Sequence, residues 1–141
     1  MQGVELEASG ALTDRWSIHA GYSYLSPKIK RAATTRDDGI FLLMPRHSAN
    51  LWTTYDITDD ITVGGGVNAM SGIRSSQGVR GGGYATVDAM AAYRITPQLK
   101  LQLNVDNLFD RKYYTRVGST NTFNIPGAER SVMATVRYEF K

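Results

Sequence analysis

The stretch LKLQLNVD at residues 99–106 alternates apolar and polar side chains without interruption. Successive side chains of an extended strand point to opposite sides, so Leu99, Leu101, Leu103 and Val105 share one face and the polar residues share the other. A helix would scatter the same leucines around its circumference. The pattern therefore predicts a β-strand with one apolar and one polar face.

The same alternation recurs along most of the chain, between segments rich in Gly, Pro, Ser and Asp. Seven strands are predicted in all, over residues 4–12, 15–25, 48–57, 61–69, 85–95, 99–106 and 132–140. No segment has a convincing helical period. The sequence therefore predicts an all-β fold, built as an antiparallel meander of about seven strands.

The connections between the predicted strands alternate between short and long. The short connections are polar or contain proline, as tight turns do, and they lie at residues 13–14, 58–60 and 96–98. The long connections cover about residues 27–47, 71–83 and 113–129. In an antiparallel meander this order collects short turns on one rim and long loops on the other, which is typical of outer-membrane barrels.

Composition narrows the class of protein. The chain has 141 residues, a net charge of +3, 42% hydrophobic residues and no cysteine. This charge is too small to indicate a nucleic-acid partner, and the lack of cysteine excludes disulfides and thiolate sites. No window reaches the roughly 20 apolar residues of a membrane-spanning helix. A transmembrane β-barrel stays compatible, because its strands place only every second residue in lipid.

The chemistry of the two faces favours a membrane barrel over a soluble one. Much of the polar face is Gly, Ser, Thr and Asn, whereas a soluble barrel shows water a densely charged exterior. Aromatic residues lie towards strand ends on the apolar face, as interfacial girdles do. They are Trp16, Tyr22, Tyr24, Tyr55, Tyr93, Tyr138 and Phe140. A soluble lipocalin-like binder with its apolar face inward is the less favoured alternative.

Six motifs occur in a fixed order along the chain. They are PRHSANLWTTY at residues 45–55, VGGGV at 63–67, YATVDAMAAY at 84–93, LQLNVDNLFDRKYY at 101–114, PGAER at 126–130 and YEF at 138–140. In this combination the chain resembles the C-terminal end of the TonB-dependent ferric-siderophore receptors of the bacterial outer membrane. The resemblance covers essentially the whole chain.

The resemblance implies a function and a set of partners. Such receptors are barrels of about 22 strands with an N-terminal plug, and they import ferric siderophores with energy passed on by TonB. Residues 1–141 would supply the last barrel strands and the extracellular loops, with the plug domain absent, so TonB would act only through that missing plug. The other expected partners are outer-membrane lipid, lipopolysaccharide and the barrel-assembly machinery.

The resemblance also implies roles for individual residues. A structural family motif follows the sixth predicted strand and comprises Asn107, Leu108, Phe109, Asp110, Tyr113 and Tyr114. Tyr138 and Phe140 form the aromatic signal that the assembly machinery reads, although Lys141 follows it here. Arg and aromatic side chains of the extracellular loops are the candidate ligand contacts, namely Arg31, Arg36, Arg46, Arg74, Arg80 and Phe123.

The loop cations could attract anionic ferric chelates or lipopolysaccharide phosphates, or they could simply keep a solvated loop soluble. No residues point to catalysis or to a resident metal, because a metal site needs three or four converging ligands and His19 and His47 are the only histidines. The run Gly64-Gly65-Gly66 lacks the Lys-Ser/Thr of a phosphate loop. The sequence therefore predicts a non-enzymatic protein without a cofactor, to which iron comes only inside a chelator.

A bilayer does not tolerate open sheet edges, because each unpaired backbone group in hydrocarbon costs several kcal/mol. Seven is also an odd number of strands, so a barrel closed by this chain alone would join its first and last strands in parallel. We therefore expect a piece of a longer receptor, or a protomer that shares its edges with another copy. A truncated, self-associating outer-membrane barrel module without transport activity is the alternative function.

Overall fold

The computed structural model describes residues 2–26, 44–75, 78–118 and 124–140, and within these ranges it contains strands and no helix. In chain order the strands are β1 Gln2–Thr13, β2 Trp16–Ser26, β3 His47–Asp56, β4 Ile61–Met70, β5 Ile73–Arg74, β6 Arg80–Gly81, β7 Tyr84–Arg94, β8 Leu99–Asp106, β9 Tyr114–Arg116, β10 Ile125–Pro126 and β11 Ser131–Tyr138. A helix able to cross a membrane is not found in the described part of the chain.

The seven long strands form one sheet in the order β1-β2-β3-β4-β7-β8-β11, and every neighbouring pair is antiparallel. This is the predicted all-β meander, and the prediction of fold class is confirmed. The strands β5 and β6 form a separate hairpin, as do β9 and β10. The alternation does not predict these two hairpins, because strands of two or three residues are too short to show a period.

The register carries the apolar face across the whole sheet. Ala20 pairs with Leu51, Leu51 with Val67, and Val67 with Val87. Apolar side chains of neighbouring strands therefore stand side by side. A slip of one residue would turn the apolar set of a strand onto the polar face, so the sequence specifies each pairing.

The apolar face is the exposed one. Leu103 is 43% exposed and Val136 is 66% exposed, whereas the best-covered residues of the polar face include Thr86 at 8% and Ala92 at 5%. A hollow of about 480 Å³ opens on the polar face over β1 to β4. An apolar face turned outward and a polar face turned inward make the wall of a membrane barrel, whereas a soluble barrel has an apolar interior.

Each of the three short turns contains a threonine whose side chain holds the turn. The Thr58 hydroxyl oxygen accepts hydrogen bonds from the N–H groups of Asp60 at 3.2 Å and Ile61 at 3.0 Å. Thr13 and Thr96 accept equivalent bonds from N–H groups two or three residues later. Threonine hydroxyls can bond to nearby backbone N–H groups in this way, so these side chains support each of the three short turns.

Aromatic side chains mark both margins of the exposed apolar face. Trp16 and Tyr55 pair across β2 and β3 next to the short turns, and the Trp16 Nε1 donates to the Thr53 Oγ1 at 2.7 Å. At the opposite margin the Tyr22 hydroxyl lies 2.8 Å from the His47 Nδ1. Amphipathic rings of this kind suit the two membrane interfaces, and long strands of eight to twelve residues match the 9–11 or so that cross a bilayer.

Glycine on the polar face makes room for a large side chain. A Cβ on Gly66 would overlap the Trp52 ring and the Leu51 carbonyl oxygen. The Trp52 ring therefore occupies the space next to Gly66 that a side chain at this position would need.

Candidate functional site

The rim that carries the long connections, here called the long-loop rim, is organised around Asn107. Asn107 is 4% exposed and has a positive φ of 50°, a conformation that Asn adopts more readily than most residues. Its Nδ2 donates to the carbonyl oxygens of Arg111 and Ala128, both at 3.0 Å, and its Oδ1 accepts from the Arg111 N–H at 2.8 Å. Its own N–H donates to the Asp88 Oδ1 at 2.8 Å. These bonds join the end of β8 to β7 and to the segment before β11.

Asp110 extends this network towards β11. Its φ is 51°, and its Oδ1 accepts from the Arg130 N–H at 3.0 Å. The Lys112 Nζ lies 3.3 Å from an Asp110 carboxylate oxygen and 2.9 Å from the Glu129 Oε1. The Arg130 N–H and then Lys112 lower the pKa of Asp110, and the Glu129 and Asp110 carboxylates raise the pKa of Lys112.

The two tyrosines of the family motif have different surroundings. Tyr113 stacks on Tyr84 with ring centroids 4.0 Å apart, and it covers Gly127, where a Cβ would overlap its ring. The Gly127 N–H donates to the Tyr113 carbonyl oxygen at 2.8 Å. Tyr114 begins β9 and is exposed. The sequences NLFDRKYY and PGAER are therefore in direct contact across the rim.

The other two motif residues differ in exposure. The Leu108 N–H donates to the Val87 carbonyl oxygen at 2.7 Å and continues the β7–β8 pairing. Phe109 is 75% exposed. Asp88, which belongs to the motif YATVDAMAAY, is also part of this network, although its bond to Asn107 joins residues 19 positions apart and is not predicted by the sequence.

Three candidate ligand contacts lie on the long-loop rim. Arg46 is exposed, its N–H donates to the Ser71 Oγ at 2.9 Å, and its carbonyl oxygen accepts from the Leu25 N–H at 2.8 Å. Arg74 and Arg80 pair with each other across β5 and β6. The other candidates, Arg31, Arg36 and Phe123, lie outside the described residues.

The two short hairpins contact each other at the long-loop rim. The strand β6 contacts β9, and Val117, which follows β9, is only 3% exposed. Ser75 is equally covered, and its hydroxyl oxygen accepts from the Val79 N–H at 3.2 Å. The hairpin of β5 and β6, which holds Arg74 and Arg80, is therefore stabilised by contacts with β9 and by the Ser75 hydrogen bond.

The hollow on the polar face is lined by side chains of β1 to β4, among them Glu5, Glu7, His19, Asn50 and Asn68. The His19 Nε2 lies 3.9 Å from the Glu7 Oε1. No group of three or more metal-ligating side chains occurs among the residues that the structure describes. The hollow is thus a concavity of the barrel wall that is lined by both polar and apolar side chains.

The C-terminal aromatics lie at the short-turn rim, next to the turn between β7 and β8. Tyr138 pairs with Leu99, and its ring meets Phe140 edge to face with centroids 4.8 Å apart. Both side chains are exposed. Lys141 lies outside the described residues.

Known proteins share this wall of seven strands. A family model described as TonB dependent receptor-like, beta-barrel matches residues 1–108. The chain belongs to this family. Among TonB-dependent receptors, the ferric-pyoverdine M114 receptor PbuA of Pseudomonas sp. (strain M114) is 35% identical over 149 residues, which cover 99% of this chain and 18% of PbuA. The catecholate siderophore receptor Fiu of Escherichia coli (strain K12) is 32% identical over 148 residues, which cover 99% of this chain and 20% of Fiu.

Solved structures of TonB-dependent receptors superpose on the same strands. The closed form of the ferric-catecholate import receptor Fiu from E. coli K12 gives a TM-score of 0.87 at 31% identity and covers 98% of this chain and 20% of Fiu. The siderophore receptor PiuA from Acinetobacter baumannii gives a TM-score of 0.83 at 30% identity, and the superposition covers 96% of this chain and 21% of PiuA.

The chain spans about a fifth of the length of these curated relatives. Its seven long strands are part of the β-barrel of an outer-membrane TonB-dependent receptor. The resemblance and the location predicted from the six motifs are confirmed. The comparisons do not favour a soluble lipocalin-like binder.

Proposed function

We propose that the receptor to which this chain belongs imports ferric siderophores across the outer membrane. The observation that carries the proposal is the match of 99% of the chain to ferric-pyoverdine and catecholate siderophore receptors at 32–36% identity. These relatives are named as receptors, which supports a role in transport and not in catalysis. In this proposal iron travels as part of the chelate and is not a resident cofactor.

The long-loop rim is the proposed entrance for the chelate. Arg74 and Arg80 stand directly opposite each other, and like charges in that position destabilise a strand pair. An anionic group of the ligand between them would relieve the repulsion and accept charge-assisted hydrogen bonds. Arg46, at the same rim, is the third described contact, and Arg31, Arg36 and Phe123 stay candidates from the sequence.

The other partners follow from where each element lies. We assign lipid to the apolar face, lipopolysaccharide to the exposed groups of the long-loop rim, and the barrel-assembly machinery to Tyr138 and Phe140. TonB would act through a plug domain outside residues 1–141. Self-association through the outer edges of β1 and β11 is the alternative to incorporation in one longer barrel.

The test of the function is uptake by cells that carry or lack the receptor. Cells without the gene should lose import of radiolabelled iron supplied as one class of chelate, pyoverdine-like or catecholate, and regain it from a plasmid copy. Growth under iron limitation should follow uptake. Unchanged uptake of every chelate after deletion would show that the receptor serves another purpose.

The test of the entrance is ligand binding to the purified receptor. The double change Arg74→Ala and Arg80→Ala should weaken chelate binding about tenfold or more, as the loss of charge-assisted hydrogen bonds does. Arg15→Ala is the matched control, because Arg15 is an exposed arginine that pairs with Asp59 at the opposite rim. Equal affinities for the double variant and the wild type would remove this pair from the binding site.

A further inference from the structure

The exposed apolar face has a groove of about 390 Å³, which is lined by Trp16, Thr53, Tyr55, Val63, Gly64 and Gly65. Thr53 pairs with Gly65, and Gly65 pairs with Ala89, so three small residues stand side by side on β3, β4 and β7. On the short-turn side of this row Tyr55 pairs with Val63. On the other side Leu51 pairs with Val67. The groove is therefore a dip between larger apolar side chains.

Gly65 has no side chain although the wall has room for one. A Cβ at Gly65 would have the Asp88 carbonyl oxygen at 3.4 Å as its nearest contact, an ordinary van der Waals distance, whereas a Cβ at Gly66 would overlap the Trp52 ring. The φ of Gly65 is not positive, and the pairing on both sides of β4 is regular there. Glycine weakens a strand and often marks a place where a ligand approaches the backbone. The bare backbone at position 65 therefore points to an occupant on the outer face.

Two polar groups of the groove bond within the wall. The Trp16 Nε1 donates to the Thr53 Oγ1 at 2.7 Å, and the Thr53 hydroxyl donates to the Ser17 carbonyl oxygen at 2.9 Å. The surface left to an occupant is therefore mainly apolar. Trp16 and Tyr55, which pair across β2 and β3, form the side of the groove nearest the short turns. A surface of this kind fits a hydrocarbon chain.

Charges of both signs lie beyond the short-turn end of the groove. Arg15 directly precedes Trp16, and its Nη2 donates to the Asp59 Oδ1 at 3.1 Å. The side chains of Arg15 and Asp59 are nevertheless 52% and 86% exposed, so both can bond to a further group. From Ile61, where β4 begins, to Gly65 the strand rises about 13 Å. The groove therefore lies within one leaflet of a hydrocarbon core about 30 Å thick, with the ion pair at its boundary.

We propose that the groove holds one phospholipid with a primary-ammonium headgroup, in the leaflet on the short-turn side. An acyl chain lies over Gly65 beside Trp16. The lipid phosphate accepts charge-assisted hydrogen bonds from Arg15, and the ammonium group donates to the Asp59 carboxylate. A purely anionic headgroup would be repelled by Asp59, and a quaternary ammonium has no N–H to donate. The site lies at the rim opposite the proposed entrance, so it does not depend on which chelate the receptor takes.

The experiment is native mass spectrometry of the full-length receptor, which is stripped of lipid in detergent and then given one lipid at a time. Dioleoyl-phosphatidylethanolamine should bind as a single molecule. It should bind about threefold more tightly than the phosphatidylglycerol and phosphatidylcholine with the same acyl chains, the factor that one exposed ion pair supplies. Equal affinities for the three lipids, or uptake of many molecules without saturation, would overturn the proposal.

Three variants establish that the bound lipid occupies the groove. Gly65→Leu should abolish binding of the single lipid, because its side chain would fill the groove. Ala91→Leu is the matched control and should bind as the wild type does, since Ala91 is exposed on the same face and pairs with Val63 but does not line the groove. Asp59→Asn, in a surface turn, should remove the preference for the ethanolamine headgroup while phosphatidylcholine binds as before. A lipid bound equally well by Gly65→Leu and the wild type would overturn the proposal.

A photoreactive phosphatidylethanolamine with a diazirine in one acyl chain identifies the position of the lipid directly. After irradiation and digestion, the labelled peptides should come from β3 and β4 around Tyr55 and Val63. Labels spread evenly over all the strands would overturn the proposal, as would a receptor dimer that Gly65→Leu abolishes, because a second copy would then fill the groove. These measurements use no chelate, so failure of the lipid site is distinguishable from failure of iron import.

Discussion

At the scale of the residue, Asn107 determines how β8 ends and how the chain returns towards β11. Its buried side chain makes three hydrogen bonds to backbone groups while its own backbone has a left-handed conformation. Substitutions can separate the two contributions, the side-chain hydrogen bonds and the tolerance of a positive φ.

Asn107→Gly should destabilise the receptor by about 2–3 kcal/mol, because buried backbone groups lose their partners. Asn107→Ala should cost about 1 kcal/mol more, since alanine resists a positive φ that glycine tolerates. Urea unfolding in detergent measures both values. Phe109→Ala is the control, because Phe109 is 75% exposed, and it should stay within about 0.5 kcal/mol of the wild type. An Asn107→Ala protein as stable as the wild type would show that these bonds do not hold the rim together.

Asp110 gives the rim a dependence on pH. Its pKa is lowered from the ordinary 3.8, first by the Arg130 N–H and then by Lys112. A carboxylate with a lowered pKa stabilises the folded state at pH values above its unfolded pKa, and this contribution disappears as the pH falls through the lower folded value. The NMR shift of the Arg130 amide should therefore change below about pH 3.8. In Asp110→Asn that titration should be missing, and a titration that persists would have to come from another group.

The family motif could be predicted from sequence as a unit, but its bonding pattern could not. Asn107 and Asp110 are recognisable because the sequence NLFD follows a clear strand. The partner Asp88 lies in the motif YATVDAMAAY, but the sequence does not show that its carboxylate bonds to Asn107. Its role depends on the pairing of β7 with β8, which brings together residues that are 19 positions apart.

At the scale of the element, a strand is specified by which face each side chain occupies. Leu103 stands on the exposed apolar face between Ala91 and Ala134. The next residue, Asn104, stands on the polar face and accepts a hydrogen bond from the Gln102 Nε2.

Leu103→Arg should therefore block membrane insertion, because a cation on the lipid face near the bilayer centre costs about 2–4 kcal/mol. Asn104→Arg is the matched substitution on the neighbouring residue and should be mild, since its side chain faces the interior. The yield of heat-modifiable, folded receptor in outer membranes compares the two. Equal losses would mean that the faces are assigned the wrong way round.

The seven long strands were predictable because each repeats a two-residue period over at least eight residues, as LKLQLNVD does. The short hairpins have no such period, because their strands are only two or three residues long. The threonines at positions 13, 58 and 96 fall within the predicted short turns, but the hydrogen bonds of their hydroxyls depend on the turn geometry and could not be predicted from the sequence.

At the scale of the whole molecule, the sheet has two outer edges, one on β1 and one on β11. A strand with one unpaired side exposes backbone groups that water or another strand must satisfy. In the complete receptor we expect neighbouring strands to cover both edges.

Hydrogen exchange should detect these neighbours. In detergent-held residues 1–141, the amides of β1 and β11 should exchange much faster than those of β4, which pairs on both sides. In the full-length receptor all three strands should be protected alike. Slow exchange of β1 and β11 in the isolated segment would point to self-association, and chemical cross-linking would then reveal dimers.

The difference between the two rims has a consequence for how such receptors diversify. Threonine-held turns and the continuous apolar face align every long strand from one side of the wall, so a loop on the opposite side can be exchanged without disturbing that alignment. Lengthening such a loop is inexpensive, since each doubling costs only about 0.6 kcal/mol of closure entropy. Receptors for different iron chelates can therefore keep the same barrel strands and differ in their long loops.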